Sequence, residues 1–571
     1  MTATTIELRP EIDSARIPDG PVSPPDDSEL YAYLGPQRRW VQVCMTVAFG
    51  LAALSLARFA TTSVWLWPLL VVLAVNICGS VISALSGWNR RRISADSHRR
   101  TTVTWAQENP VGPSVDVFLP TCGEDLEVLL NTYRHVEKMH WAGELTVWVL
   151  DDADRPEVAA EARAHGFRYL VRPNRGHMKK AGNLQHAYDN TDGEFIVVLD
   201  ADFCPRPDFL DHLVPYMDDP KVGIVQSPQY FDTTPSMNWL ERTAGATQEL
   251  FYRWVQPSRD AAGAPICVGT CAVYRRAALA VTGGFAQIEH SEDVHTGIFL
   301  LRAGFATQYV PILVSKGLCP SDTAGFLNQQ YRWCNGSITL LRSGNAHRHP
   351  LTLRQRICFW AGFMYYISTA VNVFAIHVPG VIMAVFFPLE VRAAHFVPFL
   401  AGAWVYFVLL PRVSNSRWRF EVMRVQMAYS FCHALAITHK LTGRTKGWVA
   451  TGAVGKKSSL ARTVSILGSV TIVVGLVASW GAWGYDVVHY GIAEFWMMAI
   501  FLLGYTYLSV PLLTAFLRTL GAVGPTSRPA ARAVAAAENR ITGYEAVAYT
   551  LVIVLLAVVA LGGFDLMLPW L

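Results

Sequence analysis

The chain has 571 residues, of which 52% are hydrophobic, 12% aromatic and 16% charged, whereas an ordinary soluble domain carries about 25% charged residues. This composition, with a mean hydropathy of +0.25, excludes a wholly soluble protein. A net charge of +4 lacks the concentrated basicity of a nucleic-acid binder. The ten cysteines are scattered, with Cys267 and Cys271 the closest pair and no CxxC, so they read as reduced thiols rather than a disulfide framework or zinc cluster.

Residues 1–37, rich in Pro and acids and without an apolar run, predict a disordered cytosolic tail with no cleavable signal peptide. About 20 apolar residues cross a bilayer as a helix, and two such runs, near 41–60 and 64–86, form a hairpin over 38–88. Arg38 and Arg39 before it and Arg90, Arg91, Arg92, Arg99 and Arg100 after it place both ends on the cytosolic side. From 105 to 345 short β-branched runs alternate with helical patterns, the signature of an inserted α/β domain with a mainly parallel sheet. Strands are expected at 115–119, 145–150, 168–171, 195–199 and 222–226. Membrane-length runs resume near 357–388 and 394–411 (within 355–412), 463–484 and 491–517 (within 462–517), and 545–569 (within 542–571). The first of these, interrupted at Pro379-Gly380, suits either one long tilted helix or a broken one. Seven spans then put the basic segments 413–461 and 518–541 in the cytosol and the C-terminus outside. Amphipathic stretches at 239–254, 326–341 and 418–438 suit either the membrane interface or core-facing helices. The expected architecture is therefore a multi-pass α-helical membrane protein with an inserted cytosolic α/β domain and interfacial amphipathic helices.

Two acidic pairs end expected strands: Asp151-Asp152 after Val147–Leu150, and Asp200-Ala201-Asp202 after Ile196–Leu199. Ligands bind at such carboxyl ends in open α/β sheets. Two carboxylates separated by one residue can share Mg²⁺ or Mn²⁺, which takes oxygen ligands and bridges substrate phosphates, although turn-forming acids give the same letters. Between the pairs, Asn174 to Asn183 (NRGHMKKAGN) is a polar, basic loop opening a helix, suited to a phosphate or to solvent. Ser291-Glu292-Asp293 offers a carboxylate whose neighbour would raise its pKa, fitting a general base; a Ser helix cap followed by first-turn acids is the structural alternative. Gln329, Arg332 and Trp333 share one helical face. Arg can bind a diphosphate bidentately and Trp presents an apolar ring, although such a pair also serves as an interfacial anchor.

In this order the DD, KAGN, DxD, acid-acid and QxxRW motifs resemble the processive family 2 glycosyltransferases, the group of cellulose, hyaluronan and chitin synthases, and bacterial cellulose synthase catalytic subunits most of all. The resemblance covers roughly residues 110–460. It implies a GT-A fold using a UDP-sugar, with Thr121, Glu124, Asp151, Asp152 and Lys180 at the nucleotide site and Asp200 and Asp202 on the metal, Mg²⁺ or Mn²⁺. It further implies Asp293 as the catalytic base, Arg332 on the diphosphate, and Gln329 and Trp333 at the substrate, Trp333 beneath the acceptor sugar. Ile266 to Thr270 (ICVGT) looks like the acceptor-side FxCGT segment, and Thr442 to Gly447 is loosely similar to the gating loop. Departures are DDA for DDG, Ser291 for Thr, and Phe203 where His often follows DxD. The 518–541 segment is too short for a PilZ domain.

The implied partners are the UDP-sugar, the growing polysaccharide, membrane lipids and an accessory subunit, and the implied location is the plasma membrane with the catalytic domain cytosolic. The implied activity is inverting polymerisation of a UDP-sugar, UDP-glucose first, into a β-linked glucan carried across the membrane. A membrane enzyme adding one sugar to a lipid or short acceptor shares the DxD and acid-base parts. A transporter with a binding-only domain would need the acidic motifs to be structural.

Overall fold

The computed structural model describes residues 21–35, 39–231, 233, 237–375, 378–414, 419–444 and 458–521. The inserted domain contains β1 (Val115–Thr121), β2 (Leu145–Asp151), β3 (Arg168–Leu170), β4 (Phe195–Val198), β5 (Phe203–Pro205), β6 (Val222–Gln226), β7 (Tyr230–Phe231), β8 (Ala272–Arg275), β9 (Ala306–Tyr309) and β10 (Ser315–Gly317). Seven form one sheet in the order β3-β2-β1-β4-β8-β6-β9, and β5, β10 and β7 form a smaller one. In the large sheet only β8 runs antiparallel to its neighbours β4 and β6; the remaining pairs are parallel. The mainly parallel α/β domain expected from the sequence is thus present, with its five expected strands in place. The other five are short and carry no long β-branched run.

Successive strand residues point to opposite faces, and the core divides accordingly. Val117, Leu119, Val197 and Val225 join one apolar cluster, while Phe118, Ile196, Val198 and Ile224 join another across the sheet. Burial on both faces explains the continuous apolar runs. Register then positions the site: Thr121 lies opposite Asp151, and Val198 and Gln226 both pair with Ala272. The turn after β4 and the segment before β8 therefore meet at one edge of the sheet.

Five helices among the described residues are long and apolar enough to cross a membrane: Arg39–Ala60, Val64–Gly87, Ala393–Val413, Ser459–Tyr490 and Trp496–Gly521. In the expected run at 357–388 the described residues form helices Leu353–Ala375 and Val378–Phe386, neither of which by itself meets that standard, and residues 376 and 377 between them lie outside the described residues. Polar residues within the run, such as Thr369 and Asn372, interrupt its apolar character. The expected span at 545–569 and Thr445 to Gly447 of the gating-like segment lie outside the described residues.

The tail expected to be disordered over 1–37 is corrected at 21–35. Val22, Leu30 and Tyr33 are buried, the Asn131 side chain donates to Val22 O at 2.8 Å, and Lys316 pairs with Glu29 at 2.8 Å. Three apolar anchors within a Pro-rich, acidic composition suffice to dock this segment on the domain.

Helices Thr323–Ser343 and Val422–Thr442 pack along each other, and the latter also packs on Leu353–Ala375 and Trp239–Leu250. The Val422–Thr442 helix is tied to Trp496–Gly521 by Arg424. Pro511 lies inside Trp496–Gly521 and has no N–H to offer the carbonyl four residues earlier, that of Tyr507. Arg424 donates to Tyr507 O at 3.1 Å and Leu508 O at 3.2 Å, with its guanidinium over Trp239 at 5.0 Å. Arg424→Ala leaves that carbonyl unpaired and is expected to cost about 1.5–3 kcal/mol, read as a lowered unfolding midpoint of the detergent-solubilised protein; an unchanged midpoint would refute this bracing role.

Candidate active site

The first group of expected residues lies at the tips of β1 and β2. Thr121 Oγ1 donates to Glu124 Oε2 at 2.5 Å, and Cys122 N donates to the same oxygen at 2.6 Å. Burial pushes the Glu124 carboxyl up against these hydrogen bonds. Asp151 accepts from Ala153 N at 2.9 Å, Arg155 N at 2.8 Å and Tyr169 OH at 3.0 Å. Arg155 closes the group by donating to Thr121 Oγ1 at 3.0 Å and Glu124 O at 2.6 Å. Sequence reasoning missed Arg155 and Tyr169, which belong to no motif and meet Asp151 only through the fold.

Asp152, also expected among the substrate contacts, is engaged by the protein itself. Both of its oxygens are engaged by Arg172, at 2.6 and 2.8 Å, and by Gly176 N, at 3.2 Å. Arg172, 1% exposed, also donates to His177 O at 2.5 Å and Lys179 O at 3.1 Å. The pair therefore shapes the basic loop from within. The KAGN motif has a structural explanation in the same place. A side chain at Gly182 would collide with Arg172 and His177 O, and Asn183 donates to Leu150 O at 2.8 Å, so only Lys180 is directed to the second group.

That second group gathers around Lys180 Nζ, which contacts Asp200 Oδ1, Gly269 O at 2.9 Å and Glu292 Oε1 at 3.8 Å. Burial opposes its charge, but Asp200 and Glu292 outweigh burial and hold it at about 12. Asp200 N donates to Thr270 Oγ1 at 2.8 Å, which fixes the turn carrying Asp200 and Asp202 against the segment before β8. That segment is clasped by Gln226 and Gln229: Gln226 Oε1 accepts from Val268 N at 3.1 Å, and Gln229 Nε2 donates to Val268 O at 2.8 Å. The ICVGT segment thus lies beside the metal-type turn and Asp293.

Ser291 occupies the cap position of helix Glu292–Arg302 but makes no capping hydrogen bond and has φ 59°, so the structural reading of SED as a simple cap is not realised. Its Oγ lies against Gly336 of helix Thr323–Ser343, where any side chain would collide with it. The bend presents Asp293, whose Oδ1 accepts from Val294 N at 2.8 Å. Burial first, then the Glu292 charge, push Asp293 up to about 7, against the opposing charges of Lys180 and Arg332. Arg332 thus acts electrostatically at Asp293, and Gln329, Arg332 and Trp333 are half-buried on the Thr323–Ser343 helix.

Asp200 and Asp202 form an all-oxygen pair on one turn, a donor set of the type that takes Mg²⁺ or Mn²⁺ with substrate oxygens and water. Among the described residues no group of three or more His, Cys, Asp or Glu side chains could hold a metal by itself. The pair therefore fits a cation shared with substrate rather than one caged by protein.

Residues 116–283 match the model of Glycosyl transferase family 2, and the chain carries a domain of that family. Over 340 residues it is 32% identical to cellulose synthase 1 of Komagataeibacter xylinus, covering 57% of this chain and 22% of that protein. Over 274 residues it is 36% identical to a UDP-forming cellulose synthase catalytic subunit of Pseudomonas fluorescens, covering 47% of this chain and 37% of that one. The chain thus spans well under half the length of these relatives. Among solved structures, a mannosyltransferase of Pyrobaculum calidifontis, in complex with GDP-Man and Mn²⁺, aligns with a TM-score of 0.44 and 16% identity, covering 64% of this chain and 99% of that one.

Removing either partner of the buried Asp152–Arg172 pair leaves a charge uncompensated. Arg172→Met is expected to destabilise the protein by about 3–5 kcal/mol, measured by denaturant unfolding; a loss under about 1 kcal/mol would show that the pair is not what holds the loop.

Proposed function

We propose that this protein is a membrane-embedded inverting glycosyltransferase that polymerises a UDP-sugar, UDP-glucose first, into a β-linked polysaccharide and carries it across the membrane. The observation that carries the reading is the buried Asp293, raised towards neutrality beside the Lys180–Asp200 contact, at the strand-end edge where the β4 turn and the segment before β8 meet. The similarity to UDP-forming cellulose synthase subunits supports the donor and the processive product. The five apolar helices support a membrane location, with the plasma membrane, a cytosolic catalytic domain and an accessory subunit as parts of the proposal.

In this mechanism Asp293 accepts the proton of the acceptor hydroxyl as its oxygen attacks the anomeric carbon. The new C–O bond forms on the face opposite the departing UDP, the bond to the diphosphate oxygen breaks with its electron pair leaving on UDP, and the anomeric centre inverts. A carboxyl raised towards 7 is a stronger base than an ordinary one while remaining ionised above that pH. Arg332 binds the diphosphate, and Lys180 fixes the Asp200 turn beside it. Preorganised donors facing developing charge lower the barrier without reorganisation. Asp200 and Asp202 would hold Mg²⁺ or Mn²⁺, which when bound supplies Lewis-acid stabilisation of the departing diphosphate. Trp333 supplies an apolar face for the acceptor ring, and Thr121, Glu124 and Asp151, with Arg155, form the nucleotide side.

The test uses purified protein in lipid vesicles with labelled UDP-glucose, UDP-N-acetylglucosamine or UDP-glucuronate. Incorporation of one sugar into long polymer is expected, and Asp293→Asn should lower turnover by about 10²- to 10⁴-fold. Labelling confined to a lipid or short acceptor would replace polymerisation with single transfer, and UDP release independent of Asp293 would overturn the base assignment.

Because the base acts ionised, kcat/KM should fall about tenfold per pH unit below neutrality and level off above it. A profile flat down to pH 5 would contradict the raised Asp293. Gly269→Ala places a Cβ 2.8 Å from Asp293 Oδ2 and 2.9 Å from its Cβ on a backbone with φ 75°. It should reduce kcat at least tenfold while leaving UDP affinity unchanged; an unaffected kcat would show that Asp293 needs no such close packing.

A further inference from the structure

His290 immediately precedes the Ser291 bend. The charges of Arg332, Lys440 and Lys179, which come from three other elements, all act on its imidazole, and burial, the largest influence, lowers its pKa together with them. The backbone geometry enforces this convergence. Ser291 rests on Gly336, one helical turn beyond Arg332, so His290 is carried to the Arg332 side of that helix. Tyr331 OH meets His439 Nδ1 at 3.0 Å, and Arg342 Nη1 donates to Lys440 O at 3.3 Å, which pins the end of helix Val422–Thr442 along the helix that carries Arg332. Lys179 has φ 52° at the start of the helix that carries Lys180.

Lys179 and Lys440 differ from Lys180 in their acidic neighbours. Lys180 already faces two carboxylates. Among the described residues, neither Lys179 nor Lys440 has a carboxylate within ion-pairing distance, and the buried His290 Nδ1 has no hydrogen-bond partner. The adjacent Glu289, which is exposed, acts on His290 in the opposite direction to these cations. A cluster of cations with a neutral ring donor suits a ligand that presents several anionic oxygens and no donors, and a sugar hydroxyl has no use for that charge.

We infer that Lys179, His290 and Lys440 join Arg332 in a cradle for the diphosphate of the nucleotide donor, so that the leaving group is gripped by four side chains from four elements. The inference rests on the proposed UDP-sugar donor. It also ties the end of helix Val422–Thr442 to donor occupancy, because Lys440 reaches the diphosphate only while the Tyr331–His439 contact holds that helix in place.

The test compares UDP with uridine binding to the full-length protein in nanodiscs of zwitterionic lipid, by calorimetry with magnesium in both arms. Wild type should bind UDP more tightly than uridine. Lys179→Gln and Lys440→Gln should each weaken UDP binding about tenfold, the scale of one charge-assisted contact, with uridine affinity unchanged as the control for folding. Lys440→Arg should restore most of the loss. Variants that keep the wild-type ratio of UDP to uridine affinity overturn the cradle while leaving the donor assignment intact. A wild-type protein that binds neither ligand overturns the donor assignment itself. Loss of UDP affinity that appears only in nanodiscs containing anionic lipid would reassign the cations to lipid phosphates and also overturns the inference.

Discussion

The site depends on one ammonium group. Lys180 joins the turn after β4 through Asp200, the segment before β8 through Gly269 O, and the helix that bears Asp293 through Glu292. Three segments distant in sequence are thereby held at one sheet edge. Without that cation, Asp200, Glu292 and Asp293 would confront one another as like charges in a water-poor setting, where repulsion is far stronger than in bulk solvent. Asp200 and Glu292 hold the Lys180 ammonium up at about 12 against burial.

Around that link the backbone supplies positions that side chains would obstruct. Gly269 lets Asp293 approach the segment before β8, Gly336 receives Ser291, and Gly182 lets the Arg172 loop fold back on its helix. The same logic extends towards the membrane helices. Helix Thr323–Ser343 carries Arg332 and packs on Val422–Thr442, and the latter is braced by Arg424 to the Pro511 turn of a candidate membrane helix. A continuous path of packed and hydrogen-bonded elements therefore runs from the candidate base to the apolar helices.

Much of this was legible in the sequence, for physical reasons that also explain what was not. Strand runs such as Phe195-Ile-Val-Val are apolar on both faces and end at acids, so both the sheet and its ligand edge could be read directly. Lys180, Asp200 and Asp293 gather as their motifs suggested. The engagement of Asp152 by the protein itself was not legible, because adjacent acids look alike in sequence and only the fold brings Arg172, twenty residues away, to engage one of them. Arg155 was invisible for the same reason: it acts through tertiary contacts and no spacing announces it. The docked segment at 21–35 was hidden by composition, since three well-placed apolar residues outweigh many prolines and acids once a surface exists to receive them. Polar residues in the 357–388 run meant two things at once, a weaker membrane span and a helix packed among others, and periodicity alone does not separate these.

The acid pair at the start of helix Glu292–Arg302 shows why two carboxylates serve better than one. A lone buried acid beside Lys180 would form the ion pair itself, and its pKa would fall, leaving a weak base. Here Glu292 faces Lys180, while Asp293 accepts from the Val294 amide and feels burial and the Glu292 charge together. Lys180 thus acts on Asp293 in two opposing ways, lowering its pKa directly while facing the neighbour whose charge raises it. Burial raises Asp293 most, and the balance between these charge effects, set by which acid meets the ammonium, adds to it.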